Sequence, residues 1–522
     1  MSRIEGADIS IQDFLHEHFE NTNSELQEVF ANSNILLTGV SGFLGSIILE
    51  KLLRSCSEIS NIFVLMRSKN GKTPVFRFKE ICQSRLFERV RMENPSNFTK
   101  VTVMSYEPSK EELGLKPLDL AKIRSSVSIV IHAGITQRPD ISLKDAIFTN
   151  INTTQNLLHI VKQIPTLEAF VQVSTVLCHH EEKMVEEKFY NPPLPGHILL
   201  SMVKDLPNYV FEKIAPFILC DYPTPSMLTQ IVSEDILRRE GRELPVALIR
   251  VPFLIASYKN PLSGWSHNIG PMRVATEAMI GYLRVFLCDP NCLVELVPVD
   301  MAANLIVSVA ADLAKIRQDW VNKEIEHISS FDGKTPIYNI VSSTQRQITW
   351  GEYLLNSLEQ ANKVPFANMV WHPELFLTES IIIYTVLNII CQELPAFIFD
   401  AVLSILGRQA NYHKKIKYLN LMCKSLSLYT LRQQRYRDNN TRALWERMSA
   451  ADQNIFNFDL SVIDWNEYFY TQCRGIRVYT LGDSLDSVPF SKQTRKKYKI
   501  LHYLIQLIMI LIFITFILLI TM

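Results

Sequence analysis

Short apolar runs alternate with longer amphipathic stretches along the first two thirds of the chain. "NILLTG", "NIFVLM", "SIVIHAG" and "EAFVQVST" have the unbroken apolar character of strands buried on both faces. Helical patterns such as "SIILEKLLRS" and "DAIFTNINTTQNLLHIVKQ" lie between these runs. The alternation predicts an α/β fold built on a doubly wound parallel sheet.

Farther along, the apolar spacing becomes helical. The change comes after "PVDMAANLIVSVAADL" and "IYNIVSSTQRQITWGEYL". We therefore predict an acidic N-terminal extension over residues 1–32, a large sheet-containing domain over 33–345 and a smaller helical domain over 346–485. In the helical domain, "DLSVIDWNEYF" offers Trp465 and Phe469 as packing anchors.

An uncharged apolar run covers residues 500–520 and is about long enough to span a bilayer as a helix. The segment 486–499 before it is basic, with Lys492, Arg495, Lys496, Lys497 and Lys499. This pattern predicts a single-pass C-terminal tail anchor that keeps the preceding body in the cytosol. A core helix wrapped on all sides is the alternative. The first thirty residues lack the pattern of a signal peptide.

Composition argues against several classes of protein. The 53 basic and 53 acidic residues cancel and 47% of the chain is hydrophobic, which is not typical of nucleic-acid binders or disordered chains. The nine cysteines include no C-x-x-C pair, so we expect reduced thiols and no metal site. The spacing of Cys288 and Cys292 is only a weak metal pattern.

Three glycines follow the first apolar run with G-x-x-G-x-x-G spacing, at Gly39, Gly42 and Gly45. A glycine-rich turn between a strand and a helix is typical of dinucleotide binding, because the backbone can approach a diphosphate at the helix N-terminus. The second run ends at Met66 and continues with Arg67 and Lys69 rather than an acid. Cations there favour the 2′-phosphate of NADPH, although they also fit a solvated loop.

A series of motifs gives the chain a family resemblance. "LLTGVSGFLG", "IVIHAG", "TNINTTQNLL", "FVQVST", "LPVALIR", "NPLSGW", "VELVPVD" and "FDLSVIDWNEYF" resemble, in order and spacing, the alcohol-forming fatty acyl-CoA reductases of the extended short-chain dehydrogenase type. The resemblance covers residues 33 to 480. It implies a Rossmann domain with a smaller helical C-terminal domain. It also implies NADPH-dependent reduction of long-chain fatty acyl-CoA to a primary alcohol, with release of coenzyme A.

The resemblance also implies roles for individual residues. Thr175 and its neighbour Ser174 take the place of the hydroxyl donor, and Tyr222 takes that of the catalytic tyrosine. The position of the lysine four residues later falls on Ser226, which has no charge to lower a phenol pKa. Pro223 and Pro225 predict that the following helix begins no earlier than Pro225. "YVFEK", with Tyr209 and Lys213, is a competing assignment in a helix that Pro207 and Pro216 would confine to two turns.

The implied cofactor site draws on five segments of the chain. Its predicted residues are Thr38, Gly39, Ser41, Gly42, Phe43, Leu44, Gly45, Arg67, His132, Ala133, Asn150 and Ser226. For His132, a buried histidine with satisfied hydrogen bonds is the more ordinary role.

Other hypotheses stay open at the level of sequence. A weak or inactive relative that binds NADPH or acyl lipid at a membrane is the main alternative to a reductase. A sugar epimerase or sterol dehydrogenase fits the tail anchor less well. "ESIIIYTVLNIICQELPAFIFDAVLSILG" is split by Glu393, Leu394 and Pro395, which predicts a helical hairpin at the membrane surface, along an acyl tunnel or in the core. The resemblance and the anchor predict a peroxisomal or endoplasmic reticulum membrane.

Overall fold

The computed structural model describes residues 24–136, 140–267, 269–322, 335–409 and 411–521. The predicted acidic extension lies outside the described residues up to position 23. Its last part carries the first helix, α1, over Glu25–Phe30.

Seven parallel strands form the central sheet, and six shorter ones form three two-stranded pairs. The strands are β1 Asn34–Thr38, β2 Asn61–Met66, β3 Val101–Ser105, β4 Ile129–His132, β5 Ala169–Thr175, β6 Met184–Val185, β7 Val246–Val251, β8 Phe253–Ile255, β9 Val285–Leu287, β10 Leu296–Pro298, β11 Ile337–Asn339, β12 Phe376–Thr378 and β13 Arg435–Tyr436. The central sheet has the order β11-β7-β5-β4-β1-β2-β3. The chain reverses direction across the sheet between β1 and β4, which confirms the predicted doubly wound topology.

Helices cover both faces of the sheet and make up most of the C-terminal part. After α1 they are α2 Phe43–Ser55, α3 Pro74–Gln83, α4 Glu88–Glu93, α5 Pro117–Ser126, α6 Leu143–Ala146, α7 Thr153–Val161, α8 Gly196–Asp205, α9 Asn208–Leu219, α10 Pro225–Glu240, α11 Gly270–Met279, α12 Val299–Asn322, α13 Trp350–Lys363, α14 Ile381–Asn388, α15 Leu394–Ile405, α16 Tyr412–Thr430, α17 Asn439–Arg447, α18 Ala450–Ile455, α19 Trp465–Gly475 and α20 Val488–Thr521. π turns at 147–152 and 389–393 join α6 to α7 and α14 to α15, and a third follows α19 at 476–480.

Alternate residues of each central strand belong to two different apolar cores. In β1, Ile35 and Leu37 pack in the core that contains α2 and α12, while Leu36 packs in the core that contains α7 and α10. Successive side chains of a strand point to opposite faces, so an unbroken apolar strand requires a cover on both. The result is a three-layer α/β/α body.

The C-terminal part is joined to this body by strands as well as helices. β12 pairs with β9, and β13 pairs with β6, so two strands of the predicted helical domain complete sheets of the large one. Trp465 stacks on Phe469 with ring centroids 5.6 Å apart, and Phe469 is fully buried. Both are the packing anchors that the sequence predicts. The domain boundaries themselves stay a prediction.

Two helices differ from the sequence prediction. The apolar stretch from residue 381 to 405 is one continuous helix through its π turn, so the predicted hairpin at Glu393 is wrong. The reversal comes later, between α15 and α16. Helix α9 runs through Pro216 to Leu219, so it is longer than the two turns predicted between its prolines. Pro216 lies in its last turn, where the missing N–H affects little of the remaining helix.

Apolar helices mark the C-terminal part. Within the described residues, Ile381–Ile405 is long and apolar enough to cross a membrane, and only 11% of its apolar window is buried. The predicted tail anchor at 500–520 belongs to α20, and most of the predicted juxtamembrane segment is the first part of the same helix.

Candidate active site

The glycine-rich turn joins β1 to α2 at the edge of the sheet where the chain reverses. Gly39 has φ +85°, a conformation that favours glycine, and a Cβ there would lie 2.3 Å from the carbonyl oxygen of Ala133. A Cβ on Gly45 would lie 2.3 Å from the carbonyl oxygen of Gly39. Both glycines are therefore required for the turn to close on itself and on the β4 loop. Gly42 is the N-cap of α2, so the helix N-terminus faces the sheet edge.

A cavity of about 640 Å³ lies against this turn. The carboxyl ends of β1, β4, β5 and β7 form its floor, and α10, α11 and α16 form its walls. Its size is in the ordinary range for a small-molecule or cofactor site. The lining also includes apolar side chains from several elements, among them Met227, Leu254, Ile269, Met422 and Leu426.

The structure brings part of the predicted site together around this cavity. The predicted residues that line it are Gly39, Gly42, Phe43, Leu44, Gly45, Ala133, Ser174, Thr175 and Ser226. The other predicted residues, Thr38, Ser41, Arg67, His132, Asn150 and Tyr222, are not part of the described lining.

Three of these other residues hold the floor in place from behind. His132 is fully buried, with Nδ1 2.8 Å from Thr38 Oγ1 and Nε2 3.2 Å from Thr154 Oγ1. Burial lowers the pKa of His132 to about 4, so the ring is neutral at physiological pH. Asn150 accepts a hydrogen bond from Thr136 N and donates one to Thr229 Oγ1. His132 is thus a buried histidine with hydrogen-bond partners at both ring nitrogens, which is the more ordinary of the two roles considered from the sequence.

Tyr222 lies one turn before α10 and outside the described lining. Its N–H donates to the carbonyl oxygen of Leu219, and its ring packs edge-on against His180 with centroids 5.0 Å apart. The side chain belongs to the apolar core beneath α10, and burial raises the pKa of its phenol. A raised pKa is the opposite of what a phenol that delivers protons requires. Glu234, which accepts a hydrogen bond from Ser174, and Cys178, whose thiol donates to Thr175 O, both lie near enough to Tyr222 to contribute to the rise of its pKa. The catalytic role of Tyr222 stays a prediction.

Helix α10 presents other side chains to the cavity. It begins at Pro225, as predicted, with Thr224 as N-cap. Thr224, Ser226, Met227 and Gln230 line the cavity, and Ser226 and Gln230 are four residues apart on one helix face. The Nε2 of Gln230 donates to Thr136 O over 3.0 Å. The cavity-lining position four residues after Ser226 is therefore occupied by the amide of Gln230 and not by an ammonium.

The competing pair of the sequence lies elsewhere. Tyr209 is exposed on α9, and neither Tyr209 nor Lys213 is part of the described lining. No lysine lines the cavity among the described residues, and its tyrosines there are Tyr418 and Tyr429, both on α16.

The two hydroxyls at the end of β5 are engaged with the protein. Thr175 Oγ1 donates to Val251 O at 2.7 Å and accepts from Leu177 N. Ser174 Oγ donates to Glu234 Oε1 at 2.5 Å. Both hydroxyls border the cavity, but each uses its proton inside the fold.

Glu234 is the centre of a buried ion pair beneath Ser174. Arg250 Nη2 lies 2.7 Å from Glu234 Oε2, and His179 Nε2 lies 3.2 Å from the same oxygen. Burial alone would raise the pKa of Glu234, but Arg250 and His179 outweigh it and lower the pKa to about 2. Cys178, His179 and Glu234 are close enough together to resemble a metal-ligand cluster. The guanidinium of Arg250 already occupies the carboxylate, which disfavours a second cation there.

The predicted phosphate cation lies at the end of β2. Arg67 is exposed, and Arg77 on α3 donates to its carbonyl oxygen. Tyr106 is buried near both arginines. Burial raises the pKa of its phenol, and the guanidinium groups of Arg67 and Arg77 partly offset this rise. Arg77 was missed by sequence reasoning because it lies ten residues beyond Arg67 and only the packing of α3 brings it back.

The residues fit a dinucleotide. A Cβ would fill the approach at Gly39 and Gly45, and the helix N-terminus at Gly42 supplies unpaired N–H groups for a phosphate. Gln230 Oε1 is buried without a hydrogen-bond partner in the described part of the chain, so it is an acceptor for a hydroxyl of a bound group.

Sequence reasoning missed most of the wall. Gln230 had a signal, since it follows Ser226 by one helical turn and the helix start was predicted. Arg273 on α11 and Met422 and Tyr429 on α16 had none, because they are brought to the cavity over long distances along the chain.

Family profiles match two long parts of the chain, and relatives match most of its length. Two profiles described as male sterility protein match residues 37–306, in its NAD-binding part, and residues 391–483. The chain is 29% identical over 481 residues to fatty acyl-CoA reductase wat of Drosophila melanogaster, covering 92% of this chain and 90% of that protein. It is 29% identical to fatty acyl-CoA reductase 1 of Homo sapiens, with the same coverage, and 28% identical to fatty acyl-CoA reductase 2 of Bos taurus, covering 94% and 92%.

Solved structures share the fold at low sequence identity. The reductase domain of a nonribosomal peptide synthetase from Mycobacterium tuberculosis matches with a TM-score of 0.56 and 16% identity, covering 88% of this chain and 97% of that one. The terminal reductase domain of the myxalamid pathway matches with a TM-score of 0.55 and 16% identity, covering 86% and 91%.

Proposed function

The chain belongs to the male sterility protein family, and from that membership we propose that it reduces a long-chain fatty acyl-CoA to the primary alcohol, with release of coenzyme A. Its relatives named fatty acyl-CoA reductase support this reaction over nearly the whole chain. The observation that carries the proposal is the cavity, whose lining combines two surfaces, the glycine turn and a set of apolar side chains. One surface suits a dinucleotide and the other suits an acyl chain.

The cofactor is a nicotinamide dinucleotide, held by the turn from Gly39 to Gly45 and by Ala133 after β4. When bound, it supplies hydride to an acyl carbon in each of two reductions. The remaining requirements fall on the protein. It must hold the acyl chain, meet the negative charge on the carbonyl oxygen and exclude water.

Hydrogen-bond donors come from the first turn of α10. The hydroxyl of Thr224 accepts from Met227 N, which leaves its own proton for a substrate oxygen. Ser226 and the amide of Gln230 line the same wall. We assign these three, with Ser174 and Thr175 at the end of β5, as the polar surface around the reacting carbonyl. None of them has the acidity of a phenol beside an ammonium, so proton delivery to the alkoxide is weak.

NADPH is the proposed form of the cofactor. Arg67 and Arg77 place two guanidinium groups at the end of β2, where an acid would select NADH. Guanidinium groups bind phosphate in a bidentate way, so the pair suits a 2′-phosphate.

Helix α20 is the proposed anchor. Its basic first part and apolar later part suit a helix that enters a membrane from the cytosolic side. We propose that the body lies in the cytosol at the membrane of the peroxisome or the endoplasmic reticulum.

One observation favours a second function. Ser226 and Gln230, which line the cavity from α10, are uncharged, and Tyr222 packs in the apolar core outside the cavity lining. A protein that binds NADPH or acyl lipid without turnover fits the same cavity.

An assay separates the two functions. Membranes that contain the full chain are given NADPH and saturated acyl-CoAs of several lengths, and alcohol, aldehyde and free thiol are measured. Alcohol with about two NADPH oxidised per thiol supports the reductase. Saturable NADPH binding with no product at any chain length supports the binding protein and contradicts the reductase.

A further inference from the structure

The helix from Ile381 to Ile405 has its polar side against the protein and its apolar side outward. Its buried residues are Asn388, Gln392 and Ala396, which follow one another at intervals of four. Intervals of four place side chains on one face of a helix. This arrangement is the reverse of an ordinary surface helix, whose apolar face is the buried one.

The polar face is bound to the body along its length. Gln392 Oε1 accepts hydrogen bonds from the backbone N–H groups of Arg284 and Val285, at 2.6 and 3.2 Å. Asn420 on α16 donates to Glu393 Oε1 at 2.7 Å. The carboxylate of Asp400 accepts from the backbone N–H groups at the start of α16. These contacts fix the helix on the surface of the protein.

The opposite face exposes an unusually large set of apolar side chains. We call this set the outer apolar face: Ile381, Ile382, Ile383, Val386, Ile389, Ile390, Leu394, Phe397, Ile398, Phe399, Val402, Ile405 and Leu406. Ile382 is 77% exposed and Phe397 is 58% exposed. A contiguous surface of this kind marks contact with a protein or a membrane.

Helix α20 is attached to the same short piece of the body. Trp371 Nε1 donates to His502 Nδ1 at 3.0 Å, and Glu374 Oε2 lies 2.6 Å from His502 Nε2. The first residue of the outer apolar face follows Glu374 by seven positions. The segment that leads into the outer apolar face therefore also binds α20, two residues after the exposed apolar part of α20 begins at Ile500.

Basic side chains accompany both apolar helices. Arg408, Lys414 and Lys417 are exposed just beyond the outer apolar face. Lys496, Lys497 and Lys499 are exposed just before the apolar part of α20. Cations beside an apolar surface complement anionic lipid headgroups.

We infer that the outer apolar face is embedded in one leaflet of an anionic phospholipid bilayer, alongside α20. The helix lies in the membrane surface and does not span it, because its polar face stays bound to the body from Asn388 to Asp400. The protein thus has two membrane contacts, one anchoring helix and one docked helix that fixes the orientation of the body.

The docked helix also places the cavity near lipid. Helix α16 binds Glu393 and Asp400 on one side and lines the cavity with Met422 and Leu426 on the other. One helix therefore separates the cavity from the membrane. The inference does not depend on catalysis, since a protein that only binds lipid would use the same surface.

Photo-crosslinking of the full chain tests this surface. Phe397→p-benzoylphenylalanine and Ile382→p-benzoylphenylalanine place a photoreactive ketone on the outer apolar face. Phe76, which is 51% exposed on α3, carries the same substitution as the matched control. The same substitution at Ile505, in the apolar part of α20, reports whether the chain has inserted into the membrane. Each variant is reconstituted in vesicles of phosphatidylcholine and phosphatidylserine and irradiated.

Phospholipid adducts at positions 397 and 382 should exceed those at position 76 by at least an order of magnitude. Adducts at 505 without an excess at 397 and 382 would overturn the inference and leave the anchor in place. Protein-to-protein adducts at 397 that require a second copy would also overturn it, in favour of a dimer contact. Positions 382 and 397 are both tested, so that a local change of structure at one of them does not decide the result. The turnover of each variant is measured separately.

Discussion

Ser226 and Gln230 face the cavity from one side of α10, and both are uncharged. Tyr222, four residues before Ser226, is packed in the core, where burial raises the pKa of its phenol. Proton donation to a substrate in the cavity therefore depends on which residues of α10 face the cavity, and a tyrosine nearby in the sequence is not sufficient.

Supplying the missing pair should increase turnover. In the double variant Ser226→Tyr with Gln230→Lys, the ammonium would lower the phenol pKa and the phenol would face the cavity, so alcohol formation should rise by about 10²-fold. Tyr222→Phe should change the rate by less than about twofold, well below the loss of about 10²-fold or more expected when a general acid is removed, because Tyr222 is not part of the cavity lining. Steady-state assays with acyl-CoA measure both. A loss of turnover in Tyr222→Phe would support the role predicted from the sequence instead.

Arg67 and Arg77 should set the preference for NADPH. Replacing either by alanine removes a charge-assisted contact to the 2′-phosphate, so the Kd for NADPH should rise about tenfold. The Kd for NADH should stay unchanged, because it has no phosphate at that position. Lys79, exposed on α3, offers a matched control. Equal losses for both cofactors would place the arginines outside the cofactor site.

His132 should make stability depend on pH. Its pKa is lowered to about 4 in the folded protein, against about 6.5 in an unfolded chain. As the pH falls from about 6.5 to about 4, the unfolded chain binds a proton that the folded protein does not. The free energy of unfolding should therefore decrease by about 3 kcal/mol across this window.

Denaturant unfolding in detergent micelles at several pH values measures this decrease. The difference between the wild-type protein and His132→Gln isolates this residue from His179, whose pKa burial also lowers. The exposed His197 supplies the control, and His197→Gln should leave the slope unchanged. An identical slope in His132→Gln would contradict the prediction.

At the scale of elements, the turn between β1 and α2 separates the requirements of folding from those of binding. A Cβ at position 45 would collide with the backbone of Gly39, whereas a Cβ at position 42 would meet only that carbonyl oxygen at 3.2 Å. Gly42 and Gly45 are only three residues apart, yet we expect Gly45 to matter for folding and Gly42 for binding of the cofactor.

Gly45→Ala should destabilise the protein by several kcal/mol, about the upper range for a single substitution, because backbone must move. Gly42→Ala should keep most of the stability and lose cofactor affinity, because the methyl group faces the phosphate approach. Thermal unfolding and dinucleotide titration distinguish the two. Equal affinity in Gly42→Ala and wild type would show that the cofactor does not approach this turn.

The whole molecule has two apolar helices, and the segment from Trp371 to Glu374 that precedes one of them also binds the other. A chain that ends after Lys499 lacks the apolar part of α20 but keeps the outer apolar face. We expect alkaline extraction to release this shortened chain from membranes. The shortened chain should still sediment with anionic vesicles at low salt. Raising the salt should release it, because the remaining attraction is partly electrostatic. Complete loss of vesicle binding at low salt would contradict a docked helix.

Much of the architecture was determined by local pattern. Four strands of the central sheet (β1, β2, β4 and β5), the glycine turn and the start of α10 follow from periodicity and from Gly and Pro, which constrain the backbone wherever they occur. The substrate and cofactor classes followed from motif order, because the family resemblance spans most of the chain.

The tertiary structure decided which side chains meet. Whether Tyr222 or Ser226 faces the cavity depends on the path of the chain into α10 and on how that helix packs over the sheet. The wall supplied by α16 depends on contacts across more than two hundred residues of sequence, such as the hydrogen bond from Tyr429 to Leu177 O. Gln392, in the π turn of the continuous helix, accepts hydrogen bonds from the backbone N–H groups of Arg284 and Val285 at the start of β9, more than a hundred residues away along the chain. Such contacts have no local periodicity, so the sequence by itself could determine the elements but not the face that each presents.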